Sequence, residues 1–97
     1  MEQIEKTHID KSLITTLKFS KEDVLTNIED RKKRNWKLER ALRVGNNYKT
    51  HVNLIFQDIE GKVYSTELTV WAVTEQQVVL KATMMIPITS VIDIEGV

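Results

Sequence analysis

Val52-Asn53-Leu54-Ile55-Phe56-Gln57-Asp58-Ile59-Glu60-Gly61-Lys62-Val63-Tyr64 is the stretch on which the fold turns. Val52, Leu54 and Phe56 alternate with Asn53, Ile55 and Gln57, the period of two that marks a strand. Asp58 to Lys62 then supplies a hairpin turn, with Gly61 where a left-handed backbone is needed. A second, longer strand is predicted from Val63 to about Val73, with Tyr64, Thr66, Leu68, Val70 and Ala72 on one face. Thr74-Glu75-Gln76 turns the chain. Val78, Leu80 and Ala82 form a third strand, Met84 to Ile88 a fourth, and Ile92 with Ile94 a fifth. Pro87 cannot donate to a ladder, so the fourth strand is an edge or is leaving the sheet.

Upstream of this run the period changes. Ser20-Lys21-Glu22-Asp23 offers a capping hydroxyl followed by acids, which suits a helix start. No Gly or Pro interrupts from there to Val44, and Val24, Ile28, Arg31, Asn35, Leu38 and Leu42 step by four and three along one inward line. Arg31 and Asn35 are anomalous on that line, because a buried charge needs a partner. Gly45 closes the helix as its C-cap. Trp36, Leu38, Leu42 and Val44 also fit alternation, so 36–44 stays open between helix and strand; propensity favours helix. Residues 1–19 read as an extension in which Leu13, Thr15, Leu17 and Phe19 alternate. The expected architecture is one α+β domain, mainly β: extension 1–19, helical region 20–45 and a five-stranded SH3-like barrel over 48–95.

Composition narrows the function classes. The 97 residues carry 14 Lys/Arg and 14 Asp/Glu, a formal charge of zero, and no cysteine, which excludes disulfides and thiolate chemistry. No window approaches a membrane span and the start lacks a signal-peptide core, so a cytoplasmic protein is expected. Neutrality hides a dipole. Residues 20–51 hold nine bases against five acids, and residues 52–97 six acids against Lys62 and Lys81. A basic middle marks either a nucleic-acid surface or a solvated face attracted to the acidic half.

The order of elements resembles the Sm-like fold in its bacterial Hfq-type version, over about Leu38 to Glu95. The likeness lies in Ala41-Leu42 at a helix end, Val52 to Phe56, the turn at Gly61, Val70 through Lys81, and Ile86 through Ile94. It implies five strongly bent strands whose protomers close into a ring. Two places depart from the family: Ser65-Thr66-Glu67-Leu68-Thr69 lacks the glycine at the second-strand bend, and Pro87-Ile88-Thr89-Ser90 replaces a lysine–histidine pair. Val70-Trp71-Ala72-Val73-Thr74 with Leu80-Lys81 and Ile86-Pro87-Ile88 also resembles a group of small bacterial proteins, a likeness that brings no function.

Catalytic parts are wanting. His8 and His51 are the two histidines, no glycine-framed serine accompanies them, and neither a metal-ligand cluster nor a phosphate loop is spelled out. No catalytic residue, metal or cofactor is therefore expected. Binding is better supported. A helix over 21–44 puts Lys32, Lys33, Trp36, Arg40 and Arg43 on one side, where an aromatic among cations can stack a base of RNA or single-stranded DNA. Trp71, Val73, Val79 and Met85 read as outward apolar groups that a neighbouring copy could cover. The expectation is a non-enzymatic interaction module that self-associates through barrel edge strands, with nucleic-acid binding as the alternative.

Overall fold

The structure, a computed structural model, describes residues 6–48, 51–81 and 84–96. Its helix, α1, runs Ile28–Tyr48 and so starts later than the Ser20 signal suggests. The cap is Asn27, whose Oδ1 accepts the Glu29 amide at 2.8 Å, while Glu29 and Asp30 fill the first turn. Residues 20–27 are irregular because their polar side chains take local backbone bonds that compete with a helix. Ser20 Oγ accepts from the Glu22 amide and Asp23 Oδ1 from the Leu25 amide, and the Val24 amide donates to the Thr89 carbonyl. Residues 36–44 are helical.

The inward face of α1 also differs from the expected line. Arg34, Leu38, Ala41 and Gly45 are buried, whereas Asn35 is exposed and Ile28 is 64% exposed. Arg34 can turn inward because acceptors wait for it there, as described below. Gly45 does not cap the helix, which continues to Tyr48. A Cβ at Gly45 would lie 2.7 Å from the Val70 carbonyl oxygen, so the glycine permits close packing instead.

Seven strands are present among the described residues: β1 Thr7–His8, β2 Val52–Gln57, β3 Val63–Leu68, β4 Ala72–Val73, β5 Gln77–Lys81, β6 Met84–Pro87 and β7 Val91–Glu95. They bond as two sheets, ordered β1-β3-β2-β7 and β4-β5-β6. No ladder among the described residues closes them into one barrel; the architecture is α+β with two sheets around a common core. The β2–β3 hairpin follows its sequence signature. Gly61 has φ 86°, and Asp58 organises the turn: its Oδ1 accepts the Glu60 and Lys62 amides and its Oδ2 the Tyr64 hydroxyl.

The predicted long strand 63–73 is broken. Its pairing stops at Leu68 and resumes at Ala72 in the other sheet, with Val70 kept in the core at the bend. Alternation alone could not show this, since Tyr64, Thr66, Leu68 and Val70 are all buried as expected. A 3₁₀ turn, Ile88–Ser90, returns the chain from β6 to β7. From the described part of the N-terminal segment, Ile9, Ile14, Leu17 and Phe19 join or pack against the core. After β1 the chain forms a 3₁₀ segment, Lys11–Thr16, that buries Ile14, and Phe19 meets the Phe56 ring edge-on at 6.0 Å. Phe56 in turn stacks on Tyr64 at 5.7 Å. No helix among the described residues is long and apolar enough to cross a membrane.

Candidate interaction surfaces

Helix α1 sorts its cations into two sets. On the inner side Arg34, 4% exposed, places Nη1 and Nη2 at 2.7 and 2.9 Å from the two Asp23 carboxylate oxygens, a bidentate pair. Arg34 Nη1 also reaches the Val91 carbonyl at 3.3 Å. Arg31 Nε donates to the Leu25 carbonyl at 2.6 Å and lies 3.4 Å from Asp23, so this anomalous residue has a specific acceptor. Lys37 Nζ meets Asp93 at 2.8 Å. Burial alone would raise the Asp23 carboxyl, but hydrogen bonds from Arg34 and the Leu25 amide, with the charges of Arg34 and Arg31, hold it below the usual range.

The outer side is different. Lys32, Lys33, Arg40 and Arg43 are all exposed, and none forms an ion pair among the described residues. Trp36 stands among them 56% exposed, with the Arg40 guanidinium 4.9 Å from its ring centroid. Of the five residues singled out for a nucleic-acid face, Trp36 and Arg40 are in contact and all five are exposed on α1. Glu29 and Glu39 are exposed as well.

Sheet β4-β5-β6 carries the second surface. Ala72 pairs with Val79 and Val79 with Met85, so these three side chains form one cross-strand row. Met85 is 51% and Trp71 54% exposed, and Val79 is half-buried. Val73 lies on the opposite face: it pairs with buried Val78 and packs against the core. The bend at residues 69–71 puts Ala72, not Val73, in line with Val79 and Met85, a shift that sequence alternation does not carry.

A third feature was not legible at all. His8 and His51, distant in sequence, line one open depression with Asn53, Glu67 and Glu95, because β1 runs parallel beside β3. His51 Nδ1 is 3.9 Å from Glu67 Oε1. Hydrogen bonds from Lys6 and Asn53 hold the Glu95 carboxyl below its ordinary range. Among the described residues no group of three or more His, Asp or Glu side chains is placed to hold a metal ion. Compared with family models, with curated proteins and with solved structures, the chain gives no match.

Proposed function

We propose that this chain is a small non-enzymatic interaction module that self-associates through an edge strand of sheet β4-β5-β6. The observation that carries the reading is the apolar row Ala72, Val79 and Met85, beside exposed Trp71, on a sheet bounded by two edge strands. Exposed apolar rows at an open edge are sites for strand addition by another chain. A chain of 97 residues also buries a modest share of its surface, so association adds burial that the fold alone does not provide. We read the two sheets as the halves of an Sm-like, SH3-like five-stranded barrel, with the bend between β3 and β4 and the 3₁₀ turn at Ile88–Ser90 as its corners. The test is solution mass by light scattering. Wild type is expected above the 11.3 kDa of one chain. Met85→Lys, which puts a charge on the row and edge, is expected at monomer mass with unchanged folding. A wild-type monomer at high concentration sinks the reading.

Trp36 favours a second reading, binding of RNA or single-stranded DNA on the outer face of α1. An exposed indole flanked by four cations that form no ion pair among the described residues has the components of a stacking platform on a phosphate-attracting surface. Trp36→Ala is expected to weaken binding of a single-stranded oligonucleotide by the loss of one stack, about 1–3 kcal/mol or roughly 5- to 150-fold. Arg40→Ala should flatten the salt dependence, by about 0.7 in the log–log slope for a lost phosphate contact. Salt-titrated fluorescence anisotropy measures both, and unchanged affinity in the two variants would remove the site.

A further inference from the structure

We infer that the partner in this self-association is a second copy of the chain, joined antiparallel through β6 about a two-fold axis between the two Met85 backbones. The inference rests on the reading just given and names its partner and register. The two sheets have four edge strands, β1, β7, β4 and β6. Among the described residues the first offers two, Thr7 and His8, too short a ladder to hold a partner. On β7 the edge is occupied from α1: Arg34 takes the Val91 carbonyl, and Asp93 Oδ1 accepts both the Ile94 amide at 2.9 Å and Lys37 Nζ at 2.8 Å. β4 is again two residues. The remaining edge is β6, four residues long, with the 3₁₀ segment Lys11–Thr16 packed against it.

Its outward groups follow from the pairing. The Gln77 and Val79 carbonyls accept bonds from Thr74 and Trp71, so these residues of β5 face β4. Val78 therefore faces β6 and forms the hydrogen-bonded pair with Ile86. By alternation Met85 and Pro87 turn away from β5. The outer edge of β6 thus presents the Met85 N–H, the Met85 carbonyl and the Pro87 carbonyl. The Met85 groups are their own complement: opposed to Met85 of the partner subunit, they exchange two hydrogen bonds. A register of Met85 against the partner's Pro87 leaves both Met85 carbonyls without a donor, because proline has no N–H.

Charge is no bar to a like copy as the occupant. Fourteen basic and fourteen acidic residues are spread along the chain, yet 68–74, 76–80 and 84–92 contain none. A surface of one sign repels its own copy, so the basic face of α1 is unsuited to isologous contact, whereas this sheet meets itself without repulsion. The apolar row Ala72, Val79, Met85 then continues across the axis into the same row of the partner. Pro87 and the short β4 edges stop further addition, so assembly ends at two chains.

The chain has no cysteine, which makes a site-specific test direct. Met85→Cys treated with a short bis-maleimide is expected to give a covalent dimer in high yield, since paired Cα atoms lie about 5.5 Å apart. Ile59→Cys, equally exposed on the β2–β3 turn, serves as the collision control and is expected to stay unlinked. Light scattering on the same samples should read twice the 11.3 kDa chain mass. An oligomer that does not link at residue 85, or links equally at 59, overturns the two-fold pairing but leaves self-association standing. A monomeric mass overturns both.

Discussion

Asp23→Ala is expected to lower the unfolding free energy by about 3 kcal/mol, the low end of the range for breaking a buried ion pair. The loss arises at Arg34, whose guanidinium is nearly inaccessible and would keep the Val91 carbonyl while losing both carboxylate oxygens. Asp23 itself retains a solvent-facing edge, 14% of its side chain, so screening trims the effect and the low end applies. The double variant Asp23→Ala with Arg34→Met should recover part of the loss, because an apolar side chain of similar length needs no counter-charge there. Urea titration measures both, and a loss under about 1 kcal/mol would mean that water reaches Arg34 readily. The sign with pH is fixed by the lowered carboxyl. An unfolded aspartate titrates near about 3.9 and the folded one below that, so the stabilisation is complete above about pH 4 and is lost as pH falls through the folded value. Wild-type stability should therefore drop more steeply in acid than that of Asp23→Ala.

That ion pair also explains where the sequence stops being informative. The hairpin at Asp58–Lys62 was legible because its determinants are local: a carboxylate bonding amides two and four residues on, and a glycine with positive φ. The outer face of α1 was legible for the same reason, since a helix places Trp36 and Arg40 together whatever it packs against. The helix start was not, because Asp23 serves Arg34 and Arg31 rather than a first helical turn. Nor was the inward face, which is set by Val91 and Val70 from distant strands. The outward row shows the same division. Val79 and Met85 follow from alternation, but their neighbour depends on a bend at 69–71 that no residue type there announces.

The two candidate surfaces lie on different elements, so their variants should separate. Met85→Lys acts on β6 and should abolish association while leaving each chain's affinity for an oligonucleotide unchanged, apart from any avidity of the paired form. Trp36→Ala acts on α1 and should leave the solution mass alone. A variant at either place that altered both readouts would mean that one surface is built from the other.

Gly45→Val is expected to destabilise the fold by about 3 kcal/mol, the upper end for overpacking a filled site. The opposite sign follows from helix propensity alone, since a glycine inside a helix is worse than alanine by about 1 kcal/mol. Packing decides between them. A Cβ at Gly45 would stand 2.7 Å from the Val70 carbonyl oxygen and 3.1 Å from Thr69 Cγ2. The Thr69 methyl can give way, but the oxygen belongs to the backbone of the bend between β3 and β4, where Val70 is 1% exposed. Relief would require α1 to lift, and α1 is held along β7 by Arg34 and Lys37. Gly45→Ala should then lose about 1–2 kcal/mol despite its better propensity, and valine more, because its branched γ carbons enlarge the clash. Urea unfolding followed by circular dichroism gives the order wild type, Ala, Val. If alanine matched or exceeded wild type, α1 would be free to slide over the bend, and Gly45 would be a weak helix residue with no packing role.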